Sequence, residues 1–217
     1  MGVGPLKTDN LGVIHLNDLP CPDEATLAVT GMGRSGTTMV ARIFTALGVA
    51  PGMAVGTDVL ESPAWNEAAR NLDFDAFAAL CRTADAGAAK WMVKSPKLRT
   101  DMEGFAACMR NARYVVMFRD PVAIAQRNVL VMGEAPAKAL TMAARGMARI
   151  SAQVSATTAP CLLMSYEKAL QHPGAAVDAL ADFAGVRPVE AVRAAAMAMV
   201  RNGDPAYFGG VPSKAST

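Results

Sequence analysis

The sequence predicts an α/β fold: a three-layer sandwich with a central, mainly parallel sheet and a phosphate-binding loop. Three observations carry this reading. Short apolar runs at Leu27–Thr30, Ala88–Val93, Arg113–Phe118 and Cys161–Met164 are separated by helical segments, as right-handed crossovers require. The first run ends in a glycine turn that passes directly into an amphipathic helix, a ready cradle for an anion. Arg34, Lys94, Arg119 and Tyr166 each follow a predicted strand, on the side of the sheet where ligands bind in such folds.

Composition sets the outer bounds. A chain of 217 residues fits one α/β domain with a substantial core, read as a lead-in over 1–26, a single domain over 27–200 and a tail over 201–217. With 52% hydrophobic and 18% charged residues it is globular, not disordered. A net charge of +2 is too small to argue for nucleic acid as a partner, although local basic clusters can still hold a phosphorylated small molecule. Cys21, Cys81, Cys108 and Cys161 show neither disulfide nor metal spacing, so they read as small hydrophobes with free thiols, which suits the cytoplasm. No leader-like or membrane-spanning pattern is expected, and a homodimer is compatible with the sequence.

The elements follow in order. A short strand is placed at Val13–Leu16 within the lead-in. After the strand at Leu27–Thr30, a helix over 37–47 puts Val40, Ile43, Phe44 and Leu47 on one face. The segment Gly48–Pro63 has no settled period and reads as a functional loop. Ser62-Pro63 opens a helix through 64–72, and a second helix covers 74–84. The strand at 88–93 ends in Lys94-Ser95-Pro96-Lys97, and 100–110 reads as a helix with Asp101 and Glu103 in its first turn. Arg113–Phe118, β-branched and aromatic, is the strongest strand signal. It runs through Arg119-Asp120-Pro121 into a helix ending near Val131. Further helices cover 135–154, 167–171, 174–183 and 188–200.

The first loop excludes one familiar chemistry. Gly31 and Gly36 have the separation of a nucleotide-triphosphate loop, but Thr37 stands where that loop carries the lysine that bridges β- and γ-phosphates. Gly31, Gly33 and Gly36 also match a dinucleotide-binding spacing, yet the next strand ends in Lys94 and Ser95 in place of the acidic ribose clamp. Gly33-Arg34-Ser35-Gly36-Thr37-Thr38 resembles instead the 5′-phosphosulfate loop of sulfotransferases that use 3′-phosphoadenosine 5′-phosphosulfate (PAPS). Tyr114-Val115-Val116-Met117-Phe118-Arg119-Asp120-Pro121 resembles their 3′-phosphate motif. Tyr166-Glu167-Lys168-Ala169-Leu170 and Lys94-Ser95-Pro96 are similar to two further segments of the family, and the four matches come in family order.

The resemblance implies roles. Arg34, Ser35, Gly36, Thr37 and Thr38 would surround the 5′-phosphosulfate, in agreement with the physical reading of the loop as an anion nest. Arg119 would bind the 3′-phosphate, its alternative being a surface arginine paired with Asp120. The family's partner serine is replaced by Arg127, which either binds phosphate bidentately or faces solvent while Gln126 or Asn128 comes nearer. Lys94 would meet charge on the breaking ester, with Lys97 as a nearby alternative. Pro96 occupies the position of the family histidine, and His15 and His172 lie outside the motifs; other branches of the family use a glutamate after the first helix, where Glu61 lies, so the resemblance implies Glu61 as the base, with Glu67 and Asp58 behind it. The alternative for Glu61 is a helix-capping carboxylate. Tyr166 would reach the nucleotide or pack in the core. The implied activity is sulfuryl transfer from PAPS to a hydroxyl or amine of a small-molecule or glycan acceptor, with no metal. A phosphotransferase with a variant loop, or a non-catalytic nucleotide-binding domain, remains the alternative.

Overall fold

One mixed sheet organises the computed structural model, which describes residues 10–53 and 60–201. Its strands are β1 (Val13–Leu16), β2 (Ala25–Gly31), β3 (Ala50–Pro51), β4 (Lys90–Lys94), β5 (Arg113–Phe118) and β6 (Cys161–Ser165), in the order β1-β6-β5-β2-β4-β3. β1 runs antiparallel to β6, and every other neighbouring pair is parallel. From central β2 the chain crosses to the edge strand β3, comes back to place β4 between β3 and β2, and then adds β5 and β6 on the other side. That reversal opens a crevice beyond the carboxyl ends of β2, β4 and β5, where an open parallel sheet binds ligands.

Helices cover both faces, so β2 is buried along its whole length and β5 along nearly all of it. This is why both strands read as continuous apolar runs without alternation. The period of two survives in the packing. Leu27, Val29, Val115 and Met117 face one layer, with α1 (Thr37–Ala46), α8 (Pro173–Phe183) and α9 (Glu190–Met197). Ala28, Tyr114 and Val116 face the other, with α2 (Pro63–Asn71), α3 (Phe74–Gly87), α4 (Met102–Cys108) and α6 (Pro136–Ala156). The remaining helices are α5 (Pro121–Met132) and α7 (Tyr166–Gln171). Cys81 and Cys161 are buried as expected, and all four cysteines are free. Burial pushes the thiols of Cys81 and Cys161 up to about 12, so both stay protonated and act as small apolar side chains.

Three local expectations change. The helix predicted over 100–110 is shorter, α4 covering only Met102–Cys108, and an unpredicted 3₁₀ turn, Pro96–Thr100, precedes it. Asp101 ends the 3₁₀ turn and caps α4, its carboxylate accepting from the Gly104 N–H at 2.9 Å. A capping aspartate and a first-turn aspartate look alike in sequence, and only the backbone angles separate them. Within the predicted loop after α1, Ala50–Pro51 pairs with Trp91 and Met92 as the edge strand β3, too short to carry a period of its own. The last helix is also shorter than predicted, starting at Glu190 and ending at Met197.

Phe77 is fully buried where α3 meets α2 and α4, its ring 4.8 Å from those of both Trp65 and Phe105. Truncation leaves a cavity that these rings cannot close. Phe77→Ala should therefore lower unfolding free energy by roughly 3–5 kcal/mol, read as a reduced urea midpoint with an unchanged slope.

Candidate functional site

The loop between β2 and α1 turns sharply. Gly31 has φ +152°, Arg34 +73° and Gly36 +100°. A Cβ on Gly31 would come within 2.7 Å of the Met117 carbonyl oxygen and of Ser35 Oγ. One on Gly36 would come within 2.4 Å of the Tyr166 ring. Glycine is therefore required at Gly36 both by backbone conformation and by close approach. α1 starts with no side-chain cap and no acidic residue in its first turn, which leaves its positive end unneutralised by its own side chains. Ser35 is fully buried, and its Oγ has no hydrogen-bond partner among the described residues. An orphaned buried hydroxyl beside an uncapped helix start fits an anion ligand. Behind the loop, Met32 docks on α6 at Gly146, where any Cβ would lie 2.3 Å from the methionine sulfur.

Lys94 ends β4 beside this loop. Its side chain is 2% exposed, and Nζ donates to Glu61 Oε1 at 2.7 Å and to Thr38 Oγ1 at 2.9 Å. Burial pushes the ammonium below the ordinary lysine value of 10.5. The hydrogen bond and charge of Glu61 pull it back up, and Arg42 on α1 opposes them. Glu61 thus meets a buried ammonium from another segment of the chain. Its second oxygen, Oε2, accepts from Asn66 Nδ2 at 2.9 Å, and the Asn66 carbonyl accepts the Ser95 hydroxyl. A cleft alongside Lys94 is lined by Pro51, Met53, Leu60, Ser62, Trp65 and Met92. Part of the predicted loop at Gly48–Ser62 therefore borders the same lysine.

Arg119 follows β5 and turns back over the loop. Its Nη1 donates to the Arg34 carbonyl at 2.9 Å, its guanidinium lies 4.4 Å from the centre of the Tyr166 ring, and Nε is 3.9 Å from Glu167 Oε1. Asp120 is not its partner. That carboxylate caps α5 by accepting from the Val122 N–H at 2.7 Å, while the Asp120 N–H donates to Glu167. Tyr166 is 4% exposed and begins α7, wedged between Arg119 and Gly36. Arg127 is half-buried on α5 with its Nε shielded from solvent, whereas Gln126 is exposed and Asn128 half-buried.

The structure thus gathers Thr38, Glu61 and Lys94 into direct contact, and joins Arg34 to Arg119 and Arg119 to Tyr166. Glu67 is exposed on α2, and Asp58 lies outside the described residues. Neither His15, on edge strand β1, nor His172, exposed after α7, joins these contacts. Lys97 enters through its backbone alone, donating its N–H to Ser95 Oγ at 3.1 Å. Asn66 is the member that sequence reasoning missed, and Ser95 stood within the matched Lys94-Ser95-Pro96 segment without a role of its own. Nothing in the local pattern of Asn66 separates a site asparagine from an ordinary helix residue.

No protein-family model and no curated protein matches the chain. Among solved structures it is similar to the sulfotransferase domain of the Synechococcus PCC 7002 olefin synthase, with a TM-score of 0.54 and 17% identity over 92% of each chain. A sulfotransferase domain from the curacin biosynthetic pathway gives 0.53 and 16%, covering 85% of this chain and 80% of that one. A sulfotransferase from Mycobacterium tuberculosis H37Rv gives 0.50 and 16%, covering 86% and 73%. These remote likenesses show a sulfotransferase-like fold. Among the described residues no helix is long and apolar enough to cross a membrane.

The pairing of Lys94 fixes a pH dependence. Its proton is lost more readily in the folded chain than in the unfolded one, so below 10.5 the unfolded state binds more protons and this group's contribution to stability rises with pH. Glu61→Gln removes the influences that pull the ammonium back up and extends that interval downward. The variant's deficit relative to wild type should be largest near neutral pH and shrink as 10.5 is approached, as measured by urea midpoints across the range.

Proposed function

We propose that this chain transfers a sulfuryl group from PAPS to an acceptor hydroxyl, or an amine, on a small-molecule or glycan substrate. The observation that carries the reading is the Glu61–Lys94 pair at 2.7 Å, bonded to Thr38 at the start of α1. A carboxylate able to accept a proton and an ammonium able to meet departing negative charge stand together at the edge of an anion loop. The sulfotransferase-like fold supports it.

The donor supplies a sulfuryl group activated by its anhydride link to phosphate. In this reading Ser35, Gly36, Thr37, Thr38 and Arg34 hold the 5′-phosphosulfate, and the orphaned Ser35 hydroxyl gains a partner. Arg119 binds the 3′-phosphate with Arg127 alongside, and Tyr166 holds the Arg119 guanidinium in place from below. The acceptor oxygen forms its bond to sulfur as the sulfur–oxygen bond to phosphate breaks. Glu61 takes the acceptor's proton, and Lys94 with the loop donors stabilises the charge left on the phosphate. No protein-bound metal enters the scheme.

Two measurements test this. Isothermal titration should show preference for 3′-phosphoadenosine 5′-phosphate over ATP with Mg²⁺, and Arg119→Ala should weaken that binding by about 10–100-fold, the loss of charge-assisted hydrogen bonds worth ~1.5–3 kcal/mol. Preference for ATP with Mg²⁺ would favour the phosphotransferase. With labelled PAPS and a panel of alcohols, phenols, sugars and amines, Glu61→Gln should lower kcat by about 10²–10⁴-fold while keeping nucleotide affinity. Nucleotide binding without transfer to any acceptor would leave a binding domain.

A further inference from the structure

We propose that Asn66 is a positioning residue for Glu61: locked in one orientation by Ser95, it holds the carboxylate so that the opposite oxygen meets Lys94. The proposal rests on the reading of Glu61 as the proton acceptor. Asn66 sits in the first turns of α2, and its side chain bridges the segment of Glu61 to that of Ser95, beside the Lys94–Glu61 hydrogen bond. On one side Nδ2 donates to Glu61 Oε2 at 2.9 Å; on the other Oδ1 accepts the Ser95 hydroxyl.

Donor and acceptor chemistry fixes the direction of the chain. Ser95 Oγ already accepts the Lys97 N–H at 3.1 Å, and its single proton goes to Asn66. An amide oxygen only accepts, so the Asn66 NH₂ must face the carboxylate, whose ionised oxygens also only accept. Ser95 is fully buried, and its own N–H donates to the Val29 carbonyl at 3.1 Å. The orientation of Asn66 is therefore referred to the backbone of β2, the strand that leads into the anion loop.

Glu61 needs such a restraint. It precedes α2 in a segment without regular structure, next to Leu60 at φ +54°. Its side chain is 27% exposed, whereas the Lys94 side chain it meets is 2% exposed. With Lys94 on Oε1 and Asn66 on Oε2, the carboxylate plane is held at both ends. With Asn66 removed, Glu61 would lose the restraint that this donor places on Oε2. Positioning of this kind acts on reaction geometry, where a misplacement of about 1 Å costs about 10²-fold in rate.

Asn66→Asp tests this best, because it keeps the shape of the side chain and replaces the donor by an acceptor; Ser95→Ala is the second variant. In the ligand-free protein, the Lys94 ammonium should give a slowly exchanging ¹⁵Nζ signal, assigned by its loss in Lys94→Arg. That signal should broaden or vanish in Asn66→Asp and weaken in Ser95→Ala, while the sheet amides stay in place. With PAPS and the acceptor panel, Asn66→Asp should lower kcat by about 10²-fold, with affinity for 3′-phosphoadenosine 5′-phosphate within about twofold of wild type. Placed on Glu61→Gln, it should cost nothing further. An unchanged Lys94 signal, full kcat in both variants, or an additive loss on Glu61→Gln would each overturn the positioning role. Failure of the wild type to bind the nucleotide or to transfer to any acceptor would overturn the sulfotransferase reading instead, and the Lys94 signal would still decide whether Asn66 holds Glu61.

Discussion

A buried ammonium must find a counter-charge, and in this protein that requirement ties the site together. Lys94 is carried inward by β4, the strand next to the centre of the sheet, and its side chain is almost wholly removed from water. Leaving such a charge without a partner costs several kcal/mol. Glu61 meets the need at 2.7 Å, and Thr38 adds a hydroxyl from the first turn of α1. Three segments far apart in sequence therefore converge on one nitrogen. Charge repulsion from Arg42 makes the carboxylate more necessary still.

The rest of the crevice follows the same economy of placement. The switch in strand order at β2 brings the ends of β2, β4 and β5 to one edge, so short connections can deliver Arg34, Lys94 and Arg119 without long loops. Close packing then sets orientation. Tyr166 fills the space that Gly36 leaves by lacking a Cβ, and its ring face carries the Arg119 guanidinium. Arg119 in turn holds the Arg34 carbonyl, which belongs to the loop itself. Met32 seats the back of the loop in the notch at Gly146. The loop is held from both sides, and its helix start has no side-chain cap and no acidic residue in its first turn.

The site also separates two kinds of polar group. Asp120, Asp101 and Ser95 satisfy local backbone donors at helix starts. Arg119 and Glu61 make hydrogen bonds that reach across the fold, to Arg34 and to Lys94, and Glu61 also meets Asn66. A polar side chain drawn away from the local backbone toward distant partners has a role set by tertiary structure. Asp120 shows the contrast clearly, since the neighbouring arginine was its obvious partner in sequence and helix capping took it instead.

By itself the sequence determined the strand at Leu27–Thr30, the glycine loop, α1, the strong strand at Arg113–Phe118 and the placement of Arg119 and Tyr166 just past strand ends, whereas Lys94, expected just past its strand, is the last residue of β4. Each of these is written in a window of a few residues, as period, turn chemistry or a glycine that only one backbone conformation explains. It did not separate a capping Asp101 from a first-turn one, nor reveal β3, whose two residues are too few to show a period. Tertiary structure alone decided that Glu61 pairs with Lys94 across 33 residues, that Asn66 and Ser95 join them across 29, and that Tyr166 lies beneath Arg119. The physical reason is range. Local conformation is fixed by neighbours along the chain, whereas a buried charge chooses its partner from whatever the sheet order and helix packing bring within hydrogen-bond distance.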